Sequence, residues 1–270
     1  MAQRYARRNR GPDNKRGVTL SGQIFERYQK QLLFRPIGSK GQQCLNKSRI
    51  GILGVGALGS NLASICARSG IGKIVLVDSD RVELSNLQRQ MLFDEADIGC
   101  SKAICAADKL SRINSEITIE AFCERLDARN FRDLFGGCDL LLDGTDSFVS
   151  RFMLNQQAIE SGMPWIHSAV TAASGQSLFI MPRKTACLRC LIPDTDEPAD
   201  FPTVHNSGII APIVTIIASI SAATALRYLV EKHIDYNLKY YDAWEHRFSS
   251  FAVSRNDSCP HCRSFKQEQK

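Results

Sequence analysis

Apolar residues fall into short blocks along the chain, and these blocks alternate with longer segments of helical spacing. Arg49–Leu53 and Lys73–Val77 are two such blocks, with the length and apolar character of buried parallel strands. Between them, the apolar positions predict a helix from Leu58 to about Arg68, which the glycines of Ser69–Gly72 end. The segment therefore predicts a strand, helix, strand unit of the kind that builds parallel sheets.

The same alternation continues downstream of this unit. Further helices are predicted over Ser101–Ile113, Ala128–Phe135 and Ser147–Ser161, and further strands over Glu116–Phe122, Asp139–Leu142, Pro164–Val170 and Ser177–Met181. Near the C-terminus, Leu238–Trp244 and Phe248–Val253 read as an antiparallel strand pair. The whole pattern predicts an α/β fold with a doubly wound, Rossmann-like, mostly parallel sheet that ends in antiparallel strands.

Two predicted helices precede the first strand. The first places Ile24, Tyr28, Leu32 and Leu33 on one face and ends at Pro36 and Gly38. A shorter helix over Lys40–Asn46 leads into the strand.

One uncharged run, Ile209–Leu226, is just long enough to span a bilayer. It contains hydroxyl residues and an early proline, and basic flanks typical of an anchor are missing. We therefore predict a helix buried on all sides, in the core or at a subunit interface, and no membrane span.

Composition indicates a globular protein, since 44% of the 270 residues are hydrophobic and 23% are charged. The net charge of +6 is concentrated near the N-terminus, where six basic residues precede position 17. We expect residues 1–20 to be a disordered, solvated tail, and nucleic-acid binding is not favoured because aromatic residues for base stacking are scarce there. Residues 21–270 are predicted to form a single domain.

A leader peptide is not expected, because the basic N-terminus lacks an apolar segment. We therefore predict a cytoplasmic protein whose ten cysteines lie in a reducing compartment. Two pairs, Cys187/Cys190 and Cys259/Cys262, have Cys-x-x-Cys spacing. One pair alone would also suit redox chemistry, but two pairs favour a structural Zn²⁺ site with four thiolates.

Candidate nucleotide chemistry follows the first strand. The run from Gly54 through Gly56 to Gly59 has the G-x-G-x-x-G spacing that lets phosphates approach a helix N-terminus, and Asp78 ends the next strand, where an acid binds ribose hydroxyls. This fingerprint alone is also typical of a nicotinamide-dependent dehydrogenase, which remains an alternative.

Further charged residues favour a triphosphate instead. Asn86 and Arg89 follow Asp78, and Lys102 opens the next helix, so that positive charge is available for a leaving pyrophosphate. Asp146 follows the fourth strand, where a carboxylate suits Mg²⁺ bridging phosphates. These side chains are expected to meet at the carboxyl edge of the sheet.

These motifs together closely resemble those of the ThiF/MoeB/HesA adenylyltransferases, which are bacterial relatives of ubiquitin-activating enzymes. The resemblance covers about residues 25 to 263. It rests on Arg27-Tyr28-x-x-Gln31, Gly54-x-Gly56-x-x-Gly59, Asp78-x-Asp80, the run Ser85–Gln90, Asp143–Asp146 and the two cysteine pairs. It implies ATP-dependent adenylation of the C-terminal glycine of a small ubiquitin-like sulfur-carrier protein ending in Gly-Gly, with release of pyrophosphate.

The resemblance also implies residue roles. The glycine loop with Ala57 faces the phosphates, Asp78 binds the ribose, and Asp146 holds Mg²⁺. Asn86, Arg89 and Lys102 stabilise the triphosphate and the transition state. The expected ATP-contacting set also includes Asp80, Ser85, Leu87, Gln88 and Ser147. The nucleotide-binding part spans about residues 45–182, and a zinc-stapled part for carrier binding and dimerisation spans about 183–265.

Two positions depart from the family pattern. The family is homodimeric, and an arginine from the second subunit completes each site; the matching residue here is Lys30, which keeps the charge but not the planar fork. Some relatives carry a cysteine where this chain has Val204, so we expect no covalent carrier adduct there and a separate sulfur donor enzyme. A non-catalytic scaffold that binds a ubiquitin-like protein is a further alternative.

Overall fold

The structure is a computed structural model, and it describes residues 22–192 and 207–263. Eight strands are present: β1 (Arg49–Leu53), β2 (Lys73–Val77), β3 (Thr118–Phe122), β4 (Leu140–Asp143), β5 (Trp165–Thr171), β6 (Ser174–Ile180), β7 (Leu238–Asp242) and β8 (Arg247–Phe251). They form one sheet in the order β3-β2-β1-β4-β5-β6-β7-β8. The first five strands, β1 to β5, are mutually parallel. Strands β6, β7 and β8 extend the sheet beyond β5, each antiparallel to its neighbour. The predicted fold class is confirmed.

The described α-helices are α1 (Gly22–Leu32), α2 (Gly38–Lys47), α3 (Ala57–Arg68), α4 (Lys102–Ile113), α5 (Phe131–Phe135), α6 (Phe148–Ser161), α7 (Leu188–Leu191) and α8 (Ala211–Glu231). Two short 3₁₀ helices, Leu84–Asn86 and Glu95–Asp97, shape the long connection between β2 and α4. Their polar, irregular sequences gave no periodic signal, and the sequence did not predict them.

Apolar side chains alternate between the two faces of the sheet, so each face has its own core. Ile50 and Ile52 belong to the core shared with α3, α4 and α8, whereas Val75 and Val77 belong to the core shared with α5 and α6. Helices on both faces cover the parallel strands, as in other doubly wound sheets. The carboxyl edge of the sheet is thereby left for a ligand.

Helix α8 is the apolar run that is long enough to cross a membrane, and it packs here against α3 and against β5 and β6. Eight of its residues are buried, including Ile217 and Ser221. Ser219 and Ala223 on its opposite face are exposed, so the core of the single chain does not bury the helix on all sides. The predicted alternative, burial at a subunit interface, stays a prediction. The helix is therefore a core helix of this α/β fold, with one face left uncovered within the described chain.

Some predicted boundaries also need correction. Helix α1 buries Tyr28 but ends at Leu32, so that Leu33 is 72% exposed instead of sharing the buried face. Strand β6 begins at Ser174, three residues earlier than predicted, because its polar first half continues the ladder with β5. That polar half lines a cavity, which explains why an apolar pattern did not reveal it.

Candidate active site

A cavity of about 950 Å³ opens at the carboxyl edge of the sheet. This volume suits a nucleotide-sized ligand with room for a second group. Nine of the residues expected to bind nucleotide line it: Gly54, Gly56, Ala57, Asp78, Asp80, Arg89, Lys102, Asp146 and Ser147. The structure therefore brings most of the predicted set to one place.

The glycine turn is packed so tightly that side chains are excluded from two of its positions. Gly54 adopts a φ of +82°, and a Cβ on Gly59 would lie 1.8 Å from the Gly54 carbonyl oxygen. A Cβ on Gly144, in the turn after β4, would lie 2.4 Å from the same oxygen. The turns after β1 and β4 therefore touch through backbone alone, and the N-terminus of α3 faces the cavity.

The carboxylate of Asp78 is fixed by two backbone donors. Its Oδ2 accepts from the N–H of Val55 at 2.6 Å, and its Oδ1 accepts from the N–H of Asp80 at 2.7 Å. Burial raises the pKa of Asp78 above its ordinary value, although these hydrogen bonds and Lys102 oppose that effect. The acid lines the cavity, and each of its oxygens has a lone pair left for a hydroxyl donor.

Basic side chains lie on one flank of the cavity. Lys102 is buried, with only 7% of its surface exposed, and its Nζ donates to Asp80 Oδ2 at 3.2 Å. Arg89 lines the cavity and donates through Nη1 to the carbonyl of Ser85 at 3.0 Å. These two cations line the same cavity as the glycine turn and the N-terminus of α3, where an anion would be stabilised.

Five of the residues expected to bind nucleotide do not line the cavity. Ser85, Leu87 and Gln88 lie outside its lining, as does Asn86, whose Oδ1 accepts from the N–H of Glu83 at 3.2 Å. The contact makes Asn86 a cap for the short helix Leu84–Asn86 in this structure. Gly59 is also outside the lining, because it packs against the Gly54 carbonyl.

Lys30 is exposed on α1 and lies outside the cavity lining of its own chain. Helix α1 is held by the neighbouring motif residues: the Tyr28 hydroxyl accepts from Asn114 Nδ2 at 2.7 Å, and Gln31 Nε2 donates to the carbonyl of Ser69 at 3.0 Å. The motif therefore docks the helix and leaves Lys30 facing solvent. Val204 and residues 1–20 lie outside the described residues.

A buried polar cluster at the wall of the cavity was not predicted. Asp143 Oδ2 accepts from Arg151 Nε at 3.1 Å and from His167 Nδ1 at 3.0 Å, while its Oδ1 accepts from the Thr145 hydroxyl at 2.7 Å. Burial by itself raises the pKa of Asp143, but Arg151 and His167 outweigh it and hold that pKa below the ordinary value. A lone arginine in α6 and a histidine in an apolar strand gave no sequence signal for this cluster.

The cluster supports the segment that carries Asp146. Arg151 Nη2 donates to the carbonyl of Thr145 at 2.5 Å, and the Ser147 hydroxyl caps α6 by accepting from the N–H of Ser150 at 3.4 Å. Asp146 itself is exposed at the cavity, and no ion pair to it is found among the described residues. Its carboxylate is therefore available for a cation.

The four predicted metal ligands come together away from the cavity. The Sγ atoms of Cys187 and Cys190 are 3.8 Å apart, as are those of Cys187 and Cys259, and those of Cys190 and Cys262 are 3.6 Å apart. A tetrahedron with Zn–S bonds of about 2.3 Å has edges of about 3.8 Å, so the four sulfurs fit one Zn²⁺. All four lie within 4.8 Å of one another.

Comparisons with known proteins agree with this geometry. The ThiF family matches residues 28–261. The chain is 34% identical to the molybdopterin-synthase adenylyltransferase of Salmonella typhimurium, over 90% of this chain and 98% of that protein. It is 33% identical to the sulfur carrier protein ThiS adenylyltransferase of Escherichia coli, over 90% and 97% respectively.

A solved structure extends the similarity to three dimensions. The crystal structure of E. coli MccB with ATP superposes with a TM-score of 0.73 at 25% identity, over 87% of this chain and 74% of that one. The family match spans the sheet, the glycine turn and three of the four clustered cysteines, Cys187, Cys190 and Cys259. The chain therefore belongs to the ThiF family.

Proposed function

We propose that this protein is an ATP-dependent adenylyltransferase that activates the C-terminal glycine of a small ubiquitin-like sulfur-carrier protein. The observation that carries the proposal is the meeting of the glycine turn, Asp78, Arg89, Lys102 and Asp146 around one cavity. Both named relatives are adenylyltransferases, one of them for a sulfur-carrier protein, and the chain covers nearly all of each. A nicotinamide-dependent dehydrogenase and a non-catalytic scaffold are therefore not favoured.

The reaction joins two anions, so the site has to offset charge repulsion. A carboxylate oxygen of the carrier's C-terminal glycine attacks the α-phosphorus of ATP, the bond to the bridging oxygen of the β-phosphate breaks, and pyrophosphate leaves. Negative charge builds on the leaving group in such a displacement. Arg89 and Lys102, together with the N-terminus of α3, provide positive potential on that side of the cavity.

We assign the remaining ligand contacts by position. Asp78 accepts hydrogen bonds from the ribose, the backbone at Gly56 and Ala57 borders the phosphates, and Asp146 holds Mg²⁺. The metal would neutralise phosphate charge when bound. The chemistry of the exposed Asp146 carboxylate suits this hard cation, which prefers oxygen ligands. An indirect role falls to the residues before Arg89, which would shape the segment that carries it: Ser85, Asn86, Leu87 and Gln88.

The cysteine cluster has a separate role in this proposal. A structural Zn²⁺ held by Cys187, Cys190, Cys259 and Cys262 would join the C-terminal segment to the segment after β6. All four positions of the metal would be filled by protein, as in structural sites, so that no chemistry of the reaction takes place there.

Several further features belong to the same proposal. The protein acts as a homodimer in the cytoplasm, and Lys30 reaches the site of the partner subunit. Sulfur is transferred by a separate donor enzyme, because Val204 provides no thiol at the position where some relatives carry one. The exposed face of α8 and the exposed position of Lys30 support an assembly in which α1 meets another copy.

The direct test is ATP–pyrophosphate exchange with purified small ubiquitin-like carriers that end in Gly-Gly. We expect exchange that depends on one such carrier and that is lost when its terminal glycine is removed. Labelled AMP should appear on the carrier and not on the enzyme. Absence of exchange with every carrier tested, or NADH binding in place of ATP binding, would contradict the proposed function.

A further inference from the structure

The cavity extends well beyond the part that a nucleotide fills. The glycine turn follows β1, but the lining continues across β5 and β6 to Tyr240 on β7. Strand β6 is three positions from β1 in the sheet, a distance of about 14 Å at ordinary strand spacing. Gln176 and Tyr240 therefore lie at an end of the cavity that is remote from the phosphates, where only the second substrate is expected.

The side chains at this end point to the same face of the sheet. Gln176 pairs with Ala169 on β5 and with Tyr240 on β7, so the three residues stand side by side across the antiparallel strands. All three line the cavity. An extended peptide tail that runs over these strands would present its backbone amides to this row.

The orientation of the Gln176 amide is fixed by His167 on the neighbouring strand β5. His167 is fully buried, and its Nδ1 lies 3.0 Å from Asp143 Oδ2, an oxygen that accepts only. Nδ1 therefore carries the proton. Burial lowers the pKa of His167, so the ring is neutral and its Nε2 is an acceptor. Nε2 lies 3.3 Å from Gln176 Nε2, which must donate to it.

The oxygen of the Gln176 amide lies at the other end of the group from the contact with His167. With Nε2 directed at His167, the Oε1 of Gln176 is directed away from it, and no hydrogen bond to Oε1 is found among the described residues. We infer that Gln176 Oε1, oriented by His167 and Asp143, accepts a hydrogen bond from a backbone N–H in the extended C-terminal tail of the protein substrate. In this arrangement Gln176 contacts substrate, and His167 is a positioning residue. The inference rests on the proposed function.

Selectivity follows from the chemistry of this contact. A single carbonyl acceptor recognises a backbone N–H and does not depend on the side chains of the tail. A tail residue that lacks this N–H, such as proline or an N-methylated residue, would leave the acceptor unpaired and would be disfavoured.

The test uses the whole enzyme in ATP–pyrophosphate exchange with a Gly-Gly carrier, and it separates the KM for carrier from the KM for ATP. Gln176→Met keeps the length of the side chain and removes both polar groups. Loss of one neutral hydrogen bond should raise the KM for carrier about three- to tenfold and leave the KM for ATP unchanged. An unchanged KM for carrier, or an equal rise for ATP, would overturn the inference.

A matched set of substrates makes the test specific. Carriers prepared by peptide ligation would each have one of the last four amides N-methylated. With the wild-type enzyme, one of these carriers should show the same rise in KM as the unmodified carrier shows with Gln176→Met. With Gln176→Met, that carrier should show no further rise in KM, because both changes remove the same hydrogen bond. Penalties that simply add for every position would reject the assigned contact.

His167→Leu tests the positioning role, and it should also raise the KM for carrier while the KM for ATP stays unchanged. An equal loss of ATP affinity would mean that His167 supports the whole cavity instead. Should the wild type show no exchange with any carrier, the proposed function fails. The affinities of wild type and Gln176→Met for a Gly-Gly carrier, measured by titration calorimetry, would then still decide the inference.

Discussion

Asp78 and Val55 join the ends of two neighbouring strands, because Asp78 Oδ2 accepts a hydrogen bond of 2.6 Å from the backbone N–H of Val55. Val55 lies inside the glycine turn, and Asp78 directly follows β2. One carboxylate therefore fixes the shape of the turn while it borders the nucleotide. Loss of this side chain should disturb the glycine turn and weaken nucleotide binding.

Asp78→Ala is expected to weaken ATP binding by about tenfold or more, since a charged acceptor of two backbone hydrogen bonds is removed along with the proposed ribose contact. Titration calorimetry with ATP and Mg²⁺ would measure the change. Asp235→Ala is a suitable control, because Asp235 is an exposed carboxylate that pairs with Lys239 away from the cavity. An ATP affinity equal to that of the wild type would contradict the role of Asp78.

The pH dependence of ATP binding follows from the same residue. Burial raises the pKa of Asp78, so its acceptor form is lost at a higher pH than for an ordinary aspartate. ATP affinity should be constant at neutral pH and fall as the pH is lowered through that raised pKa. In Asp78→Asn this fall should be absent from the affinity profile; a profile of unchanged shape would assign the titration to another group.

Two glycines of the same turn should respond differently to alanine. A Cβ on Gly59 would lie 1.8 Å from the Gly54 carbonyl oxygen, whereas the nearest atom to a Cβ on Gly56 is Gln90 Nε2 at 3.6 Å. Gly59→Ala should therefore lower the melting temperature strongly or prevent folding. Gly56→Ala meets no such clash, but the ψ of −142° at Gly56 lies outside the regions that alanine favours. It should therefore lower the melting temperature much less than Gly59→Ala does, and it should weaken ATP binding because residue 56 borders the phosphates. Equal melting temperatures would show that the turn yields more readily than its contacts indicate.

The two aspartates of the Asp143–Asp146 motif should also separate activity from stability. Asp146→Asn removes an exposed carboxylate and should abolish most of the exchange activity with little change in melting temperature. Asp143→Asn leaves the buried Arg151 without its charge partner, which typically costs about 3–5 kcal/mol. Chemical denaturation and exchange assays on both variants would measure this contrast. Similar losses of stability in the two variants would contradict it.

Acid should weaken the Asp143 cluster in a defined direction. The pKa of Asp143 is held below its ordinary value by Arg151 and His167 despite burial, so its contribution to stability is fully present at neutral pH. That contribution is lost as the pH falls through the lowered pKa. The free energy of unfolding of the wild type should fall more steeply in acid than that of Asp143→Asn.

The cysteine cluster predicts one bound metal ion per chain. Metal analysis of the purified protein should find about one equivalent of zinc, as expected for four thiolates at this spacing. Removal of the metal by a strong chelator, or Cys187→Ser, should lower the melting temperature. Cys44→Ser is the matched control, since Cys44 is an exposed cysteine in α2 outside the cluster, where a hydroxyl replaces the thiol without burial. A protein that contains no metal and is unaffected by chelator would reject the site.

Periodicity and short motifs were enough to predict the strand–helix alternation, the glycine turn and the cysteine pairs. These features depend on local sequence, because a buried parallel strand must be apolar and a phosphate-binding turn must be rich in glycine. The Asp143, Arg151 and His167 cluster could not be predicted, because its members come from three elements and none has a distinctive neighbourhood.

The remaining errors have similar physical causes. Strand β6 begins in polar residues because they face a cavity. The exposed face of α8 could not be distinguished from its buried face, because neither carries a charge between Ala211 and Leu226. Leu33 continues the apolar pattern of α1 but lies beyond its last residue. In each case tertiary contacts, and not local pattern, decide the outcome.

Lys30 can show whether each active site is shared between two subunits. It is exposed on α1 and lies outside the cavity lining of its own chain, whereas Arg89 lines that cavity. If each active site combines Lys30 from one subunit with Arg89 from the other, Lys30→Ala and Arg89→Ala should each be inactive alone. Mixing the two after subunit exchange should restore about a quarter of the wild-type sites, because half of the dimers are mixed and each has one intact site. Lys30→Arg should keep or raise the activity, since it restores the planar fork. Exchange activity that stays at the level of the single variants after mixing would place Lys30 in its own chain's site or outside catalysis.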